Sequence, residues 1–232
     1  MSVFRVGLSR PLSVKYTRGF LFCASYSLVT PTVNTPSLAT CMVTSWYSGD
    51  FCDGYMNDGR SLAEIDEWFS EQHFELILCV GGNHDFLAES YHNTGQPVFQ
   101  NAIYLVDAKH EFKGVNFYGA PWLPDLDGWA NFLPDHDRKR KWDLIPKSTD
   151  VLITHTPPLG VLDKPRSGRS IGCSFLRAAV DHLRPKIHCF GHVHASPGCV
   201  VDSGTEFINA TVINSDFDVT HTPVVPELQI DG

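Results

Sequence analysis

Glu75-Leu76-Ile77-Leu78-Cys79-Val80-Gly81-Gly82-Asn83-His84-Asp85 is the stretch that decides the fold. After Glu75 its first half is apolar and too short for an amphipathic helix, which predicts a strand buried on both faces. It empties straight into a polar loop. Just upstream, Ser61-Leu62-Ala63-Glu64 has the form of a capping box, in which hydroxyl and carboxylate satisfy free amides of a first helical turn. Leu62, Ile65, Trp68 and Phe69 then recur at helical spacing, so a helix is expected to end near Gln72. Helix, strand and polar loop in that order are the signature of an α/β fold.

The pattern continues downstream. Strands are expected at Ile103 to Val106, Val115 to Tyr118, Val151 to Thr154, Ile187 to Phe190, Cys199 to Val201 and Phe207 to Ile213, with a second helix near Ser174 to Leu183, stopped by Pro185. Pro121 to Lys147 reads as a long irregular loop whose Trp122, Trp129, Phe132 and Trp142 argue for order. No internal repeat or low-complexity linker divides the chain. Residues 41–232 are expected to form one domain, and residues 1–40 an atypical basic segment with a candidate first strand at 20–29.

Composition narrows the function classes. The chain has 232 residues, 43% of them hydrophobic, and no apolar run approaches the roughly 18 residues of a membrane span. A net charge of -8 argues against a duplex-DNA binder that relies on counterion release. The charge is unevenly spread, because no Asp, Glu or His precedes Asp50 while Arg5, Arg10, Lys15 and Arg18 do. Such a basic, acid-free start also fits a mitochondrial transit peptide, an alternative to a cytoplasmic location. The seven cysteines include no Cys-x-x-Cys pair, and Cys79 and Cys189 sit inside apolar runs, so buried thiols in a reducing compartment are expected. For the same reason Asn209-Ala210-Thr211 is expected to lie in a strand rather than a glycosylated loop.

Four polar loops at strand exits carry metal-capable side chains: Gly49-Asp50, Gly82-Asn83-His84-Asp85, Thr154-His155-Thr156-Pro157-Pro158 and Gly191-His192-Val193-His194. Imidazole nitrogens mixed with carboxylate and amide oxygens suit Mn, Fe, Zn or Co better than Ca or Mg. His73, His92, His110, His136, His182, His188 and His221 lack this conjunction and are expected on the surface or satisfied in the core.

In their order and spacing these loops resemble the calcineurin-like metallophosphoesterase superfamily. Gly119-Ala120-Pro121-Trp122, Gly172-Cys173 and Gly204-Thr205-Glu206-Phe207-Ile208-Asn209-Ala210 narrow the likeness to metallophosphoesterase-domain-containing proteins related to the mammalian brain form. The resemblance implies two mixed β-sheets in a sandwich flanked by helices, with a divalent metal centre at one edge. It implies Asp50 as bridging carboxylate, Asn83, His155 and His192 as ligands of one metal, and His194 as a ligand of the other. His84 would stabilise the transition state or protonate the leaving group, with Asp85 orienting its ring. The implied activity is hydrolysis of a small phosphoester, a nucleotide-type phosphodiester above all, with Mn2+ as the first candidate ion.

One block of the superfamily pattern is missing. An Asp-x-His should close the first strand, and Ser25-Tyr26-Ser27 followed by Thr30-Pro31 stands about there instead. One metal site is then short of two ligands. Three readings stay open: an N-terminal segment joined from the wrong exon or frame, a mononuclear or weakly active enzyme, and a scaffold that keeps the fold as a binding module.

Overall fold

The strand at 76–80 is buried on both faces, and each face has its own partner. Leu76, Leu78 and Val80 point one way, into a core shared with Leu105, Val115, Phe117, Val151, Ile153, Ile187, Cys189 and Ile208. Ile77 and Cys79 point the other way, onto Leu62, Ile65, Phe69 and Ala88. Alternation of period two thus places a second sheet against one face and helices against the other.

The computed structural model describes residues 24–31, 44–52, 60–216, 218–224 and 226–230. In chain order its elements are β1 (Ala24–Pro31), β2 (Thr44–Ser48), α1 (Arg60–Ser70), β3 (Leu76–Val80), α2 (Phe86–Asn93), β4 (Ile103–Tyr104), β5 (Ala108–Phe112) and β6 (Val115–Ala120). There follow α3 (Asp135–Trp142), β7 (Val151–Thr154), α4 (Ser174–Leu183), β8 (Ile187–Phe190), β9 (Gly198–Asp202), β10 (Thr205–Asn209) and β11 (Glu227–Ile230). One sheet has the order β11-β1-β2-β3-β4 and the other β5-β6-β7-β8-β10-β9. Both are mixed, since β2-β3-β4 and β6-β7-β8-β10 run parallel while β1-β2, β5-β6 and β10-β9 are antiparallel. The outer face of the second sheet packs Tyr118, Leu152, Phe190 and Phe207 against Trp142, Leu176 and Val180 from α3 and α4. The expected sandwich of two mixed sheets between helices is what forms.

Several boundaries differ from the sequence reading. The 121–147 stretch is not irregular throughout, because α3 lies inside it. That helix, Asp-His-Asp-Arg-Lys-Arg-Lys-Trp, buries only Arg138 and Trp142 and so shows no apolar period. Its acids stand in the first turn and its bases in the last, as the helix dipole favours. The last long strand stops at Asn209 rather than Ile213. Strand β5, with half-buried residues alternating with exposed ones, is a strand the apolar runs did not show. Cys79 and Cys189 are fully buried, as expected. None of the helices among the described residues is long and apolar enough to cross a membrane. Residues 1–23 and 32–43, with the transit-peptide reading and the start of the 20–29 strand at 20–23, lie outside the described residues, while 24–29 fall within β1.

His188 belongs to this fold rather than to the site. It is 0% exposed on the outer face of β8, with ring centroids 5.1 Å from Phe190 and 5.8 Å from Phe207. Its Nε2 lies 2.9 Å from the Thr154 hydroxyl, which donates its own proton to the Thr156 carbonyl. The ring is therefore the donor and carries its proton on Nε2. Burial pushes its pKa down to about 3. Between that value and the ordinary 6.5 the unfolded chain binds the extra proton and the native state does not. Stability from this residue is thus intact above pH 6.5 and falls as pH drops toward 3, by up to about 1.4 kcal/mol per pH unit. His188→Phe should remove this slope, so urea unfolding from pH 7 to 4 should favour the variant increasingly. Parallel pH profiles would contradict this account.

Candidate metal centre

Four strands from the two sheets end on the same side, and their exits carry the candidate ligands: Asp50 after β2, Asn83 and His84 after β3, His155 after β7, and His192 and His194 after β8. The exits are packed backbone to backbone. Gly49 has φ of +94°, and a Cβ there would come within 2.5 Å of the Gly82 nitrogen and 2.6 Å of His155 Nδ1. A Cβ on Gly82 would meet Asp50, and His155 Cε1 at 2.6 Å. Both glycines are required because no side chain fits where the two loops cross. Asp50 and His192 themselves adopt left-handed backbone, with φ of 60° and 66°. Non-glycine residues held there are strained, and such strain concentrates at functional sites.

Asp50, His155 and His192 each offer a ligand atom, and the three atoms lie within 4.8 Å of one another. His155 Nε2 is 3.4 Å from Asp50 Oδ2 and 3.1 Å from Asn83 Oδ1. Its Nδ1 faces the Ser48 carbonyl at the end of β2, a contact that fixes the tautomer with the proton on Nδ1. With that proton so placed, the lone pair of Nε2 and the oxygens of Asp50 and Asn83 converge with no donor among them. Such a set binds either an extra proton on His155 or a cation. The donors, two imidazoles with carboxylate and amide oxygens, fit a divalent transition ion.

The protonation states agree. Burial disfavours the charged carboxylate of Asp50, yet His155 outweighs it and holds the pKa well below the usual range. Burial likewise disfavours the imidazolium of His155, and Asp50 again outweighs it and raises the pKa. Burial pushes His192 down to about 3, and it lowers His194 as well. At neutral pH Asp50 is therefore charged and His192 neutral, the forms that ligate metals. His194 stands outside the three-residue cluster but close enough for Asp50, His155 and His84 to act on its charge.

Asp85 departs from its expected role. Its carboxylate does not hold the ring of His84. Oδ2 accepts the amides of Asp50 at 2.8 Å and Gly82 at 2.7 Å, and Oδ1 accepts the amide of Cys52 at 2.9 Å. Fully buried, it ties the β2 exit to the β3 exit. Burial, then repulsion from Asp50, pushes its pKa up to about 7 against these amide bonds. His84 instead donates its backbone amide to Asp50 Oδ1 at 3.1 Å, and its Nδ1 is buried without a hydrogen-bond partner among the described residues.

Three supporting residues escaped the sequence reading. The Ser48 carbonyl is main chain and leaves no residue-type signal. Asn209, 0% exposed, donates its amide to Val193 and Ser196 carbonyls at 2.8 Å each and to Leu162 at 3.3 Å, bracing the loop that carries His192 and His194. That role ends β10 at Asn209 and removes the Asn-Ala-Thr sequon from solvent. Asn131 donates Nδ2 to the Gly82 carbonyl at 2.8 Å and its own amide to Glu89 at 3.0 Å. Its backbone has a φ of 59°, a region that asparagine tolerates.

The Ser25-Tyr26-Ser27 stretch does not stand at a strand exit beside the site. Strand β1 is antiparallel to β2, with Ala24 opposite Tyr47 and Ser27 opposite Thr44, so its run toward Pro31 leads away from Gly49-Asp50. Its far end pairs with β11 instead.

A sequence model described as calcineurin-like phosphoesterase matches residues 46–196. A UPF0046 protein of Caenorhabditis elegans is 40% identical over 139 residues, covering 59% of this chain and 35% of that protein. Metallophosphoesterase domain-containing protein 1 of Homo sapiens is 31% identical over 209 residues, covering 78% of this chain and 63% of the human protein. The chain thus spans between about one third and two thirds of the length of these relatives. A solved crystal structure superposes with a TM-score of 0.51 at 18% identity, over 65% of this chain and 63% of that one.

Proposed function

The chain belongs to the calcineurin-like phosphoesterase family, and on that premise we propose that it is a metal-dependent hydrolase of phosphoesters, acting on nucleotide-type phosphodiesters with Mn2+ as its ion. The observation that carries the reading is the convergence of Asp50, His155 and His192, with His155 Nε2 meeting the oxygens of Asp50 and Asn83 and no donor between those three groups. A divalent ion held there supplies Lewis acidity toward the phosphoryl oxygens and an acidified water. The chain's own residues do the rest. Asp50 carries the charge that retains the ion, and the Ser48 carbonyl keeps His155 in its ligating tautomer. His84 is assigned the proton at the leaving oxygen, and His194 the ligation of a second ion.

A nucleotide-type substrate is supported by a cavity of about 240 Å³ lined by Glu89, His92, Trp122, Asn131 and Phe132. Asn131 is also the residue bonded to the Gly82 carbonyl, so the cavity adjoins the loop bearing Asn83 and His84. Trp142, in contrast, is core, 1% exposed. Buried free thiols at Cys52, Cys79, Cys173 and Cys189 support a cytoplasmic location.

Elemental analysis of the purified protein, paired with turnover of bis(4-nitrophenyl) phosphate, tests the assignment. Near-stoichiometric Mn, Fe, Zn or Co with measurable turnover is expected, and His192→Ala should lose both. A metal-free wild-type protein whose melting temperature no divalent ion raises would overturn it and favour the scaffold reading.

A further inference from the structure

The Nδ1 of His84 is buried and unpartnered among the described residues, and Asp85 is committed elsewhere. What stands against that ring is Trp129. The two centroids are 4.9 Å apart with planes at 69°, an edge-to-face contact, and the same indole stacks on Phe86 at 6.3 Å. The indole does not drift there by chance of a surface loop. Ala130 donates to the Asn83 carbonyl at 3.2 Å, Asn131 to Gly82 and to Glu89, and Leu123 and Leu133 cross-bond across the base of the loop with Asn131 and with each other. These bonds tie the residues flanking Trp129 to the backbone that flanks His84. Ring contact and loop clamp are independent of one another, and both select the same imidazole.

We propose that Trp129 is a positioning residue for His84, its indole holding the imidazole in the orientation that faces the Asp50, His155 and His192 cluster; the catalytic part of this inference rests on the hydrolase reading. An edge-to-face contact supplies orientation without a hydrogen bond. Trp129 contacts His84 and is not a member of the Asp50, His155 and His192 cluster, so its removal should leave metal binding intact. The loop keeps its backbone bonds when the indole is cut away.

The test uses the full chain, zinc-loaded and histidine-labelled, as wild type, Trp129→Phe and Trp129→Ala. In wild type the His84 ring protons should show an indole ring-current shift, which Trp129→Ala abolishes and Trp129→Phe partly keeps. Zinc stoichiometry should be unchanged in both. With bis(4-nitrophenyl) phosphate, kcat of Trp129→Ala should fall about ten- to a hundredfold with KM nearly constant, and Trp129→Phe should recover most of it. A His84 signal identical in wild type and Trp129→Ala, or phenylalanine no better than alanine, would overturn the proposal. If Trp129→Ala fails to fold, an unchanged His84 shift in Trp129→Phe overturns it equally. If the wild type hydrolyses no phosphoester while the His84 signal behaves as described, the hydrolase reading falls and the positioning role stands.

Discussion

Asp50→Asn is expected to abolish stoichiometric metal and to cut phosphodiester turnover by on the order of a thousandfold or more, while the protein stays folded. The substitution is nearly isosteric, and asparagine is among the few residues that accept the left-handed backbone at this position, φ of 60°. The amide oxygen can still accept the His84 backbone amide that Oδ1 accepts now. What disappears is the only negative charge of the Asp50, Asn83, His155 and His192 set. Without it the three-acceptor cluster loses its attraction for a cation, and His155 loses the partner that outweighs burial in raising its pKa. Metal-derived charge stabilisation amounts to several kcal/mol. At about 1.4 kcal/mol per decade of rate, its loss spans three decades or more. Elemental analysis, turnover and melting temperature with and without Mn2+ read the effect: the metal-dependent rise in melting temperature seen in wild type should vanish. Retained metal and turnover within tenfold of wild type would show that the ion sits elsewhere.

The candidate ligand set was legible because each member follows a short apolar strand, and a strand exit in an α/β sheet is a place where ligands bind. His155 could be picked from eleven histidines for that reason, and His188 set aside because it lies within a strand. Main-chain support was not legible. The Ser48 carbonyl has no residue signature, and the direction in which β1 pairs with β2 leaves no trace in a period-two pattern that parallel and antiparallel strands share. Asp85 was misread for a different reason. Adjacency to His84 in sequence suggested contact in space, but the turn from Gly82 to Asp85, closed by a 3.3 Å backbone bond, folds the carboxylate back onto the amides of its own loop and of the β2 exit. The helix at 135–142 was hidden because its charges face solvent on nearly every side. Trp129 was visible as one aromatic of four, and only the clamp by Ala130 and Asn131 sets it apart from the buried Trp142.

Asp85→Ala should be the most damaging single substitution to stability at this edge of the sandwich. One carboxylate satisfies three buried amides from three points, Asp50, Cys52 and Gly82. Alanine orphans all of them, at about 1–3 kcal/mol each. Removing an acid that burial and Asp50 have pushed up to about 7 offsets part of that loss, leaving a net cost of about 3 kcal/mol or more by the same per-bond scale. Asp85→Asn divides the effect in an informative way. Because Asp50 and Gly82 both donate to Oδ2, a carboxamide oxygen placed there keeps two bonds, while its NH2 meets the Cys52 amide, donor against donor. Asparagine should therefore cost less than alanine, roughly the value of one lost bond plus that opposition, about 1–3 kcal/mol. Urea unfolding of the three proteins without added metal measures the ladder. Metal affinity should follow it, since Asp50 keeps its strained backbone only while its amide is held. An alanine variant within about 1 kcal/mol of wild type would mean that water replaces the carboxylate, and the two loops would then be joined by the crossing at Gly49 and Gly82 rather than by Asp85.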